Sequence, residues 1–112
     1  MKLSLYCTAI IISGILAGCS SSVPKCSDDE TKGVVLEIVT EEMTNQIGAE
    51  LSGKLKYALS AIRTTKSNEQ TGAHECAAEL NIIGPSETKP FPITYTVENT
   101  DDGNFYVNVF GL

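Results

Sequence analysis

The stretch KSNEQTGAHECAAELNI, Lys66 to Ile82, decides how the rest of the chain is read. Its first seven residues are polar and end in Gly72, which is turn material. Beyond them His74, Cys76, Ala78, Leu80 and Ile82 alternate with Glu75, Ala77, Glu79 and Asn81, the period of a half-buried strand. The preceding segment KLKYALSAIRTT, Lys54 to Thr65, is ambiguous taken alone. Leu55, Ala58, Leu59 and Ile62 suit a helix, whereas Leu55, Tyr57, Leu59 and Ala61 alternate as a strand does. The turn and the strand that follow it select a hairpin, and the loss of parity near Ala61 and Ile62 predicts a bulge.

Working toward the C-terminus, Gly84 to Pro92 holds three prolines and reads as a loop. Ile93, Tyr95 and Val97 then alternate with Thr94, Thr96 and Glu98. Asn99 to Asn104 is a turn centred on Asp102-Gly103, and Phe105, Val107 and Val109 close the pattern against Tyr106, Asn108 and Phe110. Working toward the N-terminus, Ser27-Asp28-Asp29-Glu30 has the spacing of a capping box, with Ser27 as N-cap and Glu30 at the third helical position. Val35, Leu36, Val39, Met43, Ile47 and Leu51 fall in one arc of the helix that follows, and Gly53 suits the position past its end. The predicted architecture is α+β: one N-terminal helix packed on a four-stranded antiparallel meander.

The first eighteen residues belong to a different kind of segment. Lys2 is a short basic region and Leu5 to Ala17 an apolar run too short to span a bilayer, the pattern of a secretion signal. It ends in Leu16-Ala17-Gly18-Cys19, which resembles the lipobox of bacterial lipoproteins. The resemblance implies that Cys19 receives a diacylglyceryl group, that cleavage occurs just before it, and that the new amino group is acylated with a fatty acid such as palmitate. Two or three acyl chains hold a domain stably at a membrane without a spanning helix, since each buried methylene contributes about 0.8 kcal/mol. Ser20, where an aspartate would favour the inner membrane in enterobacterial-type sorting, points to the outer membrane and its periplasmic face. The expected organisation is thus signal peptide 1–18, lipidated tether 19–26 and folded domain 27–112.

Charge and cysteine content bound the rest. Of 8 basic and 14 acidic side chains, the signal removes only Lys2, so the domain is distinctly acidic and ill-suited to nucleic acid. Of four cysteines, Cys7 leaves with the signal and Cys19 carries lipid, so Cys26 and Cys76 remain. In an oxidising compartment two such cysteines in a small domain are expected to pair, and closing a loop of that length contributes about 4 kcal/mol on the chain-entropy view. Neither has a second ligand at metal-site spacing.

Residues with chemistry to offer are few. His74 is the single histidine, and no nucleophile-elbow, zinc-protease, phosphate-loop or dinucleotide pattern is present, so no cofactor is called for. Asp101 and Asp102 are explained by their turn. On the helix, Glu37 and Glu41 lie one turn apart on the polar side, where charged residues are ordinary, and Val34 and Ile38 lie outside the main stripe beside them. These four are the candidate partner surface; packing of Val34 and Ile38 beneath a strand edge or the tether is the equal alternative.

A helix draped over a four-stranded meander resembles the cystatin-like group of folds. The segments IRTT, TG, CAAEL, PITYTVE, DDG and FYVNVFGL, from Ile62 to Leu112, are similar in order to a small bacterial envelope domain that carries no catalytic residues. Together these features predict a membrane-anchored, non-enzymatic, periplasm-facing domain that binds an envelope protein as an accessory or inhibitory subunit. The alternative is a module that binds a small ligand or peptide between helix and sheet, and a hydrolase built on Glu37, Glu41 or His74 is the least supported reading.

Overall fold

The computed structural model of the chain describes residues 23–112, so the expected signal peptide, Cys19 and Ser20 to Ser22 lie outside the described residues. Helix α1 (Asp29–Ile47) and a single turn α2 (Ala49–Ser52) precede four strands, β1 (Lys56–Ser67), β2 (His74–Ile83), β3 (Thr88–Asn99) and β4 (Phe105–Phe110). The strands form one antiparallel sheet in the order β1-β2-β3-β4. The ambiguous segment is therefore a strand, and the hairpin reading of Lys54 to Ile82 holds.

The register of β1 shifts between Ser60 and Arg63, where Ala61 takes a positive φ of 53°. That conformation costs an alanine about 1–2 kcal/mol, and the bulge it forms returns Ile62 to the core face. A second shift, between Thr64 and Lys66, leaves Thr65 free to donate its hydroxyl to the Glu75 carbonyl at 3.0 Å.

The alternation read in β2 reappears in burial except at Ala77, which is buried between Cys76 and Ala78. Cys76, Ala78 and Leu80 are each 1 % exposed; Tyr95 and Ile93 of β3, opposite Cys76 and Ala78, and Val97 on the same face are no more than 2 % exposed. Val35 and Val39 of α1 seal this face, with Met43 and Ile82 packed at its margin. Tyr95 sits in the core and Tyr106 on the opposite face of the sheet, as parity requires.

Three expectations are corrected. The helix begins at Asp29 with Asp28 as N-cap, one residue later than the Ser27 capping box, because Asp28 turns its carboxylate back to the Lys25 N–H at 2.9 Å. Leu51 is not in the core stripe: Gly48, at φ 90°, ends α1 and redirects the chain, leaving Leu51 56 % exposed. Ser52 takes the buried place instead, its hydroxyl 3.0 Å from that of Tyr57 and 3.3 Å from that of Thr44. Finally, Gly84 to Pro92 is not all loop, since β3 starts at Thr88 and includes Pro90 and Pro92. The Gly84 N–H donates to the Glu87 carbonyl at 2.8 Å, which fixes the ladder phase so that both proline nitrogens face away from β2. β4 pairs only with Thr94 to Asn99, so no bond is lost on that side.

Cys26 and Cys76 form a disulfide with their Cα atoms 5.8 Å apart. The end of the expected tether is consequently part of the fold: Val23 is 8 % and Cys26 2 % exposed. The Tyr95 hydroxyl donates to the Cys26 carbonyl at 2.8 Å, and Thr64 donates to Cys26 Sγ at 3.3 Å, so three strands hold the chain just before α1.

Candidate functional site

β3 has twelve residues and β4 six, so the first half of β3 has no paired strand on one side. At the same end of the sheet α1 stops at Gly48. Together these leave an apolar cleft of about 160 Å³ between the last turns of α1 (Met43, Gln46), the ends of β2 and β3 (Leu80, Ile82, Phe91) and the chain after β4 (Gly111, Leu112). A shallower hollow of about 340 Å³ continues past Met43, Ile82 and Phe91 to Leu55 and Gly84. Its rim carries the Glu87–Lys89 ion pair at 4.0 Å.

Two local features open this cleft. Phe91 shares the parity of Ile93 and Tyr95 and so points to the helix side, but it remains 46 % exposed there. Gly111, at φ 102°, passes close over β3, where a Cβ would stand 3.2 Å from the Pro92 carbonyl; only glycine permits this approach. It delivers Leu112, 39 % exposed, to the cleft wall.

The lining offers apolar contact rather than acid–base or nucleophilic chemistry. Among the described residues no group of three or more His, Cys, Asp and Glu side chains gathers as a metal would require. His74 lies at the other end of β2, its Nδ1 2.9 Å from the Ser67 hydroxyl across the hairpin. The perturbed groups are structural: burial raises the pKa of Tyr95, a hydrogen bond to Glu98 raises that of Tyr106, and a hydrogen bond from Thr100 lowers that of Asp102 in its turn.

Of the expected partner surface, Val34 and Ile38 are half-buried and pack against the core, while Glu37 and Glu41 are exposed on α1. Of the cleft, Met43, Leu80 and Ile82 were legible as core-facing positions, and the partial exposure of Met43 and Ile82 was not. Phe91 was missed because two prolines hid its strand; its two-residue spacing from Ile93 was the signal.

The cleft and the segment from Val23 to Cys26 occupy opposite ends of the sheet. Val23 packs at Gly72, in the β1–β2 turn, and Cys26 is bonded to the start of β2, whereas the cleft lies at the end of β2, about 20 Å further along from Cys76 to Ile82. Among the described residues no helix is long and apolar enough to cross a membrane. No protein-family model matches the chain, and neither does any curated protein or solved structure. Its class is that of a small disulfide-bonded α+β domain, with one helix and a four-stranded antiparallel sheet.

Proposed function

We propose that this chain is a bacterial lipoprotein, anchored through Cys19 at the periplasmic face of the outer membrane, whose non-enzymatic domain docks an envelope protein at the apolar cleft as an accessory or inhibitory subunit. The observation that carries this reading is the separation of tether and cleft: a domain held at the β1–β2 end presents Met43, Ile82, Phe91 and Leu112 away from the bilayer. The helix on a four-stranded meander supports the cystatin-like resemblance as the finer description of the fold.

Cleft size favours a protein partner over a small ligand. Small-molecule sites enclose about 300–1,000 Å³ and cover most of the ligand. The deeper part here has about half the lower limit, and its extension is an open strip. Such a strip takes one or two apolar side chains of a partner segment, the anchors on which interfaces depend.

The test is photo-crosslinking in intact cells, with a benzophenone analogue of phenylalanine at position 91 of the full chain. A discrete adduct with another envelope protein is expected, lost in Met43→Glu. An adduct pattern no different from that of the same analogue at exposed Thr65 would overturn the docking. Metabolic labelling with an alkyne fatty acid, abolished by Cys19→Ser, tests the anchor separately.

A further inference from the structure

Three stretches of open backbone border the sheet, and two are blocked. The outer edge of β1 carries Lys56, Arg63 and Lys66, and two register shifts break its line. The open part of β3, Thr88 to Ile93, has proline at each of the two central positions whose N–H would point outward. Cations, bulges and prolines are the devices that keep a strand edge from pairing. The third stretch, the outer edge of β4, has none of them. FYVNVF, Phe105 to Phe110, contains no charge, proline, glycine or bulge, and β4 is the one described element without a charged side chain. Its two outward aromatics, Tyr106 and Phe110, are 44 % and 54 % exposed.

We propose that the edge of β4 pairs antiparallel with β4 of a second copy of this chain, Asn108 opposite Asn108, so that the two sheets form one continuous eight-stranded sheet. The phase of the ladder permits it. The Thr100 N–H donates to the Asn104 carbonyl at 2.8 Å, so in the β3–β4 register Tyr106, Asn108 and Phe110 direct their backbone groups to β3, and Phe105, Val107 and Val109 direct theirs outward. About a two-fold axis at Asn108, Val107 exchanges both hydrogen bonds with Val109 of the second copy. Tyr106 then lies opposite Phe110 of the second copy, and Phe110 opposite its Tyr106. Both exposed aromatics gain a cross-strand aromatic partner, a stabilising pair in antiparallel sheets. Centring the axis on Val107 instead would set Tyr106 against Asn108 and leave Phe110 without an aromatic partner. Charge selects the same element: two chains of net charge −6 repel, and β4 is where they can approach without setting charged side chains of the paired strands against one another. A six-residue pairing buries less than the roughly 1,200 Å² of a standard stable interface, so the dimer is concentration-dependent.

The inference does not rest on the lipid anchor or on the cleft. Its test uses the full chain, mixed from two isotope-labelled preparations, with the benzophenone analogue at position 110. The expected product is a mixed-isotope covalent dimer whose adduct maps to Tyr106. Asn108→Lys, which sets like charges opposite one another at the axis while leaving an exposed position exposed, should lower the yield at least about fivefold. Val109→Pro, which removes an outward N–H, should do the same with the Cys26–Cys76 disulfide intact. A self-adduct insensitive to Asn108→Lys, one mapping away from β4, or capture only of a different protein would overturn pairing with a second copy. An adduct from position 91 bears on the cleft alone, so the two readings fail independently.

Discussion

Thr31 is the clearest residue at which the fold and its polar accounting disagree. It faces the core from the first turn of α1, is fully buried, and its hydroxyl has no hydrogen-bond partner. A buried unsatisfied hydroxyl costs about 1–3 kcal/mol, and valine has nearly the same shape and helix propensity. Thr31→Val is therefore expected to raise stability by about 1 kcal/mol in urea unfolding; a loss of stability would mean that the hydroxyl is satisfied after all. Tyr95 is the opposite case, buried with its hydroxyl bonded to the Cys26 carbonyl. Tyr95→Phe leaves that carbonyl unpaired and should cost about 1–3 kcal/mol at neutral pH. Burial holds the pKa of Tyr95 above the ordinary phenol value near 10. Above pH 10 the unfolded chain loses this proton while the folded chain keeps it, so stability falls as pH rises through that window. Unfolding curves from pH 8 to 11 should thus show the wild-type advantage over Tyr95→Phe shrinking at the alkaline end. A constant difference would remove Tyr95 from the alkaline response.

Among the elements, the junction of α1 with β2 depends most on a single bond. The Cys26–Cys76 disulfide closes a loop with a sequence separation of 50, and the chain-entropy relation gives it about 4 kcal/mol. A domain of this size has roughly 5–15 kcal/mol in all. Reduction should therefore lower the urea midpoint by about a quarter or more of its value, and an unchanged midpoint would show that the helix is held by packing alone. This junction was legible in the sequence because Cys76 shares the parity of Ala78 and Leu80, and parity in a strand is a strong geometric constraint. The bulge near Ala61 was legible for the same reason. The early start of β3 was not, because proline reads locally as a strand breaker and only the short reach of β4 makes room for Pro90 and Pro92. Nor was the exposure of Leu51: its position in the helical arc was correct, but Gly48 redirects the chain. The cleft was illegible for a related reason, since it arises from the mismatch of β3 and β4 and from where α1 stops, neither of which is a property of any one segment.

At the scale of the whole molecule, the ends of the long axis of a 54 × 28 × 21 Å body differ in character. The end at which Val23 packs carries the turns with Glu69, Asp101 and Asp102 and the start of α1 with Asp28, Asp29 and Glu30. The other carries the cleft, with Phe91 and Leu112 exposed. Carboxylates are repelled by an anionic leaflet, and the hydrogen bond from Thr100 keeps Asp102 ionised to lower pH than usual. Val23 is four positions along from Cys19, a reach of at most about 14 Å. If Cys19 is the anchor, the acidic turns stay near the headgroups without inserting and the cleft stands beyond them by most of the length of the sheet. A fluorophore at Gln70→Cys, in the β1–β2 turn, should then be quenched by headgroup-level spin labels several-fold more than one at Ser86→Cys, beside the cleft. The ordering should survive high salt, because the tether and the disulfide impose it rather than surface charge. Equal quenching at the two positions would show that the domain lies along the membrane, with its cleft turned toward lipid instead of toward a protein partner.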